Sequence, residues 1–96
     1  MRRDQVISIL KSLKPNLKSL GVHSLAVFGS VARDEAQVNS DIDILVDLES
    51  PCTFDRYMDV KFYLEDQLGT KVDLVTQKAL KPQIWTKVQK QAIYVT

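Results

Sequence analysis

Three aspartates stand at spacings that suit phosphate and metal chemistry. Asp41 and Asp43 are one residue apart in Asp41-Ile42-Asp43-Ile44-Leu45-Val46-Asp47-Leu48, which alternates with period two, and Asp73 lies between apolar neighbours in Lys71-Val72-Asp73-Leu74-Val75. Alternate side chains leave the same face of a strand, so Asp41 and Asp43 project in parallel, roughly 6 to 7 Å apart at the backbone. Such a pair can converge on one cation. On its own it is commonplace, because any half-exposed strand carries acids on its wet face. Gly29-Ser30 changes the weighing. At the mouth of a strand-to-helix turn, backbone N–H groups and the helix dipole favour a phosphate, and glycine lets it come close. Ser30 either adds a hydroxyl donor or caps a short helix through Arg33. Asp73 occupies a mid-strand position where an unpaired carboxylate costs free energy unless something compensates it. Three carboxylates on one sheet face repel one another, and a divalent ion relieves that repulsion. Magnesium suits the ligand chemistry, since one or two carboxylates plus substrate phosphates usually hold it. Two ions about 3.5–4 Å apart would clamp the attacking and leaving oxygens of an in-line displacement.

The elements that must position these groups follow from periodicity. Val6, Ile9, Leu10, Leu13, Leu17 and Leu20 recur at three and four, predicting an amphipathic helix that Pro15 kinks or splits and Gly21 stops. Val22 to Phe28 reads as a strand, broken by Gly29-Ser30. A polar loop, Asp34 to Ser40, leads into the Asp41–Leu48 strand, which turns Ile42, Ile44, Val46 and Leu48 to the core and Asp41, Asp43, Leu45 and Asp47 to the other face. After Ser50-Pro51, a helix from Thr53 to Leu68 offers Phe54, Tyr57, Met58, Val60, Leu64 and Leu68 for packing, and Gly69 ends it. Lys71 to Val75 is a third strand, with Val72 and Leu74 opposite Asp73. Pro82 suits the first turn of a last helix carrying Ile84, Trp85 and Val88, and Ile93-Tyr94-Val95 docks on the body. This order predicts an α/β (α+β) fold, a small mixed β-sheet packed with helices.

At 96 residues the chain fits one domain, residues 1–96, with a core that needs no disulfide. Thirteen basic against 12 acidic side chains give a net charge of +1, so no overall field argues for nucleic acid or an anionic membrane. Cys52 is the only cysteine, and no apolar run approaches the roughly 20 residues that cross a bilayer. A cytoplasmic protein is expected.

Phe28-Gly29-Ser30-Val31-Ala32-Arg33, Ser40-Asp41-Ile42-Asp43-Ile44-Leu45-Val46 and Val72-Asp73-Leu74-Val75 together resemble the polymerase-beta-like nucleotidyltransferases, most of all the minimal nucleotidyltransferase family. The resemblance spans nearly the whole chain and covers Gly-Ser, Asp-x-Asp and a later Asp in order. It implies that Gly29 and Ser30 hold the triphosphate of ATP, and that Asp41 and Asp43 bind two Mg2+ ions. It places Asp73 beside the second metal, activating the acceptor hydroxyl. Arg33 contacts phosphate in this reading, or forms a surface ion pair in the plainer one. One departure is Asp34, where many relatives carry glycine, and its charge would weaken nucleotide binding.

The minimal family is known for pairing with HEPN-type ribonuclease toxins. The resemblance therefore implies an antitoxin that transfers AMP from ATP to a tyrosine hydroxyl of its toxin partner. Two other readings stay open: a degenerate module that neutralises its partner by contact alone, and transfer to a small molecule such as an aminoglycoside in a pocket built by an oligomer. Whether the chain forms a homodimer is open too. His23 lacks partners for a zinc site, Cys52 lacks a general base, and Trp85, Tyr57, Tyr63 and Tyr94 read as core or interface. Solvation is the plainer reading of Lys81, Lys87 and Lys90.

Overall fold

A computed structural model of the chain describes residues 2–33, 35 and 41–95. The polar loop expected from Asp34 to Ser40, Glu35 apart, lies outside the described residues, as do the expectations for Asp34 and Ser40.

The N-terminal apolar pattern forms two helices, α1 (Arg3–Ser12) and α2 (Lys14–Ser19), with Leu13 closing one and opening the other. Pro15 occupies the first turn of α2, where its missing N–H has no helical partner to lose. Val6, Leu10, Leu13 and Leu17 are buried across the break. The chain then runs through β1 (Val22–Phe28), the single-turn helix α3 (Gly29–Ala32) and β2 (Ile42–Leu48). Thr53 caps the next helix, α4 (Phe54–Leu68): its Oγ1 accepts the Arg56 backbone N–H at 3.1 Å. At the other end Gly69 takes a left-handed φ of 70° and donates its N–H to the Glu65 carbonyl. Then follow β3 (Val72–Thr76), a 3-10 turn at Gln77–Ala79, α5 (Pro82–Gln91) and a two-residue strand, β4 (Ile93–Tyr94).

The sheet has the order β3-β2-β1-β4. β1 is antiparallel to β2 and β4, whereas β2 and β3 are parallel, as the crossover through α4 requires. The tail docks as expected, through Ala26↔Tyr94, Val27↔Ile93 and a Val95 N–H to Leu25 carbonyl bond of 2.9 Å. The mixed sheet with helices agrees with the expected fold class.

Period-two alternation sorts the sheet into two faces. Leu25, Val27, Ile42, Ile44, Val46, Val72 and Leu74 join Val6, Leu10 and Leu17 and the α4 residues Val60, Leu64 and Leu68 in the main core. Each such side chain contributes about 1.5–3 kcal/mol by leaving water. On the other face Ala26 and Leu45 pack under Val88, with Phe28, Val75 and Trp85 around them. α5 thus covers the middle of that face and leaves the end carrying the acids open. Two residues expected to pack do not: Phe54 and Ile84 are exposed.

As an edge strand, β3 needs its outward polar groups occupied. α4 supplies this. Glu65 Oε2 accepts the Val72 N–H at 3.0 Å, and the Tyr57 hydroxyl donates to the Leu74 carbonyl at 2.5 Å.

Candidate active site

The strand pairing brings the sequence-distant groups to one end of the sheet. β1 ends at Phe28, which pairs with Asp43 near the start of β2, and Asp43 pairs in turn with Asp73 on β3. Asp41 is exposed, just ahead of β2. Gly29 follows β1 at a φ of +70°, with its backbone against the Asp43 carboxylate. A Cβ at position 29 would overlap Asp43 Oδ2 and come to 3.0 Å of its Cγ. Glycine is needed there for both conformation and room.

Asp43 is the perturbed group. Its carboxyl is raised from an ordinary 3.8 to about 6, first by burial, then by the charge of Asp73, by a hydrogen bond shared with Asp73, and by the charge of Asp41, while Arg33 pulls the other way. The desolvated acid is therefore Asp43 and not Asp73, the reverse of what the apolar neighbours of Asp73 predict. β2 is central, flanked by β1 and β3, whereas Asp73 lies exposed on an edge strand.

Two readings left open by the sequence narrow here. Ser30 does not cap a helix, because α3 begins at Gly29 with Phe28 as its N-cap; Ser30 lies half-buried inside the turn. Arg33 takes the plainer role in this conformation: its Nε bonds Glu35 Oε2 at 3.1 Å and its Nη1 bonds Gln91 Oε1 at 3.2 Å. Its charge still reaches Asp43.

Tyr57 is the neighbour that residue patterns missed. It packs on the core, and its hydroxyl pKa is raised by burial and then by Asp73. Its helical spacing marked it only as a packing residue, and nothing local to position 57 signals a carboxylate 16 residues away.

The donor set fits a hard divalent cation: oxygen ligands only, with burial first and then the neighbouring carboxylates raising the Asp43 carboxyl. Among the described residues, no three His, Cys, Asp or Glu side chains are already gathered around one point. The Asp43–Asp73 pair with Asp41 beside it suits magnesium's habit of taking one or two carboxylates and completing its shell with phosphate and water. His23 and Cys52 are exposed and take no part. No helix among the described residues is long and apolar enough to cross a membrane.

A glycine turn and a carboxylate pair on adjoining strands of a small mixed sheet are the features of a nucleotidyl-transferring fold, and the nucleotidyltransferase domain model matches residues 4–95. The chain belongs to the nucleotidyltransferase family. Among its relatives is the protein adenylyltransferase MntA of Thermococcus cleftensis, 40% identical over 93 residues that cover 96% of this chain and 94% of that protein. A solved structure described as a putative minimal nucleotidyltransferase superposes with a TM-score of 0.86 at 33% identity, covering 97% of this chain and 95% of its own. A more distant likeness, at 18% identity and a TM-score of 0.68, is to a structure of a tri-AMPylated Shewanella oneidensis HEPN toxin in complex with an MNT antitoxin; it covers 98% of this chain and 71% of that one. At that identity it speaks for the fold.

Proposed function

We propose that this chain transfers AMP from ATP to a tyrosine hydroxyl of a HEPN-type ribonuclease partner and thereby acts, in the cytoplasm, as its antitoxin. The observation that carries the proposal is the apposition of Gly29, Asp43 and Asp73 across three adjoining strand ends. Kinship with a protein adenylyltransferase over nearly the full chain supports a protein acceptor, and the toxin complex with the same fold supports its class. Residues 1–96 act as one domain in this reading, with the partner supplying the acceptor surface.

Gly29 and Ser30 hold the triphosphate at the β1–α3 turn, where the glycine backbone is accessible to phosphate oxygens. Asp41, Asp43 and Asp73 would hold the two magnesium ions, which when bound offset the carboxylate repulsion and neutralise charge on the phosphates. The acceptor oxygen attacks the α-phosphorus, the bond from that phosphorus to the β-bridging oxygen breaks, and pyrophosphate leaves. Asp73, the exposed carboxylate at the edge of the cluster, orients the acceptor hydroxyl and takes its proton. To contact phosphate, Arg33 must leave Glu35 and Gln91.

Co-expression tests the reading. The parent chain should restore growth to cells producing the ribonuclease, and Asp41→Asn with Asp43→Asn should not. Rescue by the double variant would favour neutralisation by contact alone.

A further inference from the structure

Asp73 stands on the least supported strand of its end of the sheet. β3 is an edge, paired with β2 on one side, and Asp73 itself is exposed. The Lys71 carbonyl accepts the Ile42 N–H at 3.1 Å, so residues 71 and 73 turn their backbone groups to β2 while those of Val72 and Leu74 face outward. On that outer side the Val72 N–H donates to Glu65 Oε2 at 3.0 Å, and the Leu74 carbonyl accepts the Tyr57 hydroxyl at 2.5 Å. One bond thus lies on each side of Asp73, the one carboxylate of β3. The Leu74 side chain belongs to the core face, opposite the acids, but the group held is its carbonyl, in the plane of the sheet next to Asp73. Both anchors come from α4, eight residues apart and so on one side of it, and buried Val60, Leu64 and Leu68 seat that helix. Burial first, and then the charge of Asp73, raise the Tyr57 hydroxyl above its ordinary 10.0, which keeps on it the proton it donates. Protection of a sheet edge needs occupied backbone groups but no particular residue between them. Here the occupied pair brackets the acid that pairs with Asp43.

Resting on the transfer reading above, we propose that Tyr57 and Glu65 are positioning residues, which clamp the backbone on both sides of Asp73 and so fix where its carboxylate meets the acceptor hydroxyl and the metal beside Asp43. They act through Asp73. With either bond gone, that side of Asp73 is held from β2 alone and the carboxylate ranges more widely. A misplacement of about 1 Å costs up to about 100-fold in rate. Loss of a group that orients a metal-binding side chain costs about 10- to 100-fold in activity or metal affinity.

The test is steady-state transfer of label from α-labelled ATP to the purified ribonuclease by Tyr57→Phe, Glu65→Met, Glu65→Gln and Tyr63→Phe. Tyr63→Phe is the control, because it makes the same change on the same helix but breaks a bond of 2.9 Å from Asn16 Nδ2, far from Asp73 in the chain. Glu65→Gln is the rescue, because its amide oxygen can still accept the Val72 N–H. Tyr57→Phe and Glu65→Met should each lower kcat about tenfold or more with KM for the ribonuclease unchanged, while Glu65→Gln and Tyr63→Phe match the parent. Parent kcat in Tyr57→Phe, an equal fall in Tyr63→Phe, or a Glu65→Gln as slow as Glu65→Met overturns the proposal. Urea unfolding checks that each variant is folded, and Tyr57→Phe decides alone if Glu65→Met is not. Absence of label with the parent chain would sink the transfer reading. The affinity of the chain for magnesium, by calorimetry, then decides the clamp: it stands if Tyr57→Phe weakens binding about tenfold and Tyr63→Phe does not, and it falls if the two bind alike.

Discussion

Replacing Asp43 by Asn should make the metal-free protein more stable at neutral pH, although it removes a residue of the candidate site. In the folded chain the Asp43 carboxyl holds its proton up to about pH 6, against an ordinary 3.8. A folded pKa above the unfolded one means that the native state binds more protons, so stability is highest below about pH 4 and falls as pH rises through 6. A rise of that size corresponds to about 3 kcal/mol for a fully shielded group, and partial exposure of this carboxyl reduces that to about 1–2 kcal/mol. Asparagine is nearly isosteric, cannot ionise, and can still donate a hydrogen bond to Asp73. Urea unfolding in the presence of a chelator at pH 4, 5, 6 and 7.5 reads the effect. Asp43→Asn should gain about 1–2 kcal/mol over the parent at pH 7.5, the gap closing near pH 4. Equal stabilities at pH 7.5, or a gap that widens toward acid, would refute the reasoning. The raised Asp43 carboxyl also predicts that magnesium binding expels a proton near pH 6, measurable as uptake of base on titration.

Three further outcomes follow from single residues. Gly29→Ala, forced to a φ of +70° and into the Asp43 carboxylate, should cost about 1–3 kcal/mol in urea unfolding and depress transfer; a neutral result would mean the turn can shift. Thr53→Ala removes the cap of α4 and should cost about 1 kcal/mol in the same assay. Leu64→Ala, in the centre of the main core, should cost about 2–5 kcal/mol by thermal or chemical unfolding.

Much of this was legible in residue order because the elements are locally consistent. The alternation of Ile42, Ile44, Val46 and Leu48 gave β2 its buried face, Pro15 marked the break between α1 and α2, and Gly69 took the left-handed cap that ends α4. The grouping of Gly29, Asp43 and Asp73 was expected from motif order, and the strand register brings them together. What stayed hidden depends on who lies beside whom. Asp73 is flanked by apolar residues in sequence yet exposed, because β3 is an edge; Asp43 is desolvated because β2 is central. The Arg33–Gln91 contact joins residues 58 apart, and the Tyr57–Leu74 bond spans 17, neither with a local signature. Phe54 fits the apolar stripe of α4 but sits at its first turn, beyond the reach of the core.

The most direct test of AMP transfer by this carboxylate cluster is intact mass spectrometry of the ribonuclease partner after incubation with the chain, ATP and magnesium, beside an Asp41→Asn, Asp43→Asn control. An added adenylate mass on the partner, present with the parent chain and absent with the double variant, is the expected result. A partner of unchanged mass that is nevertheless bound and silenced by both proteins would contradict it.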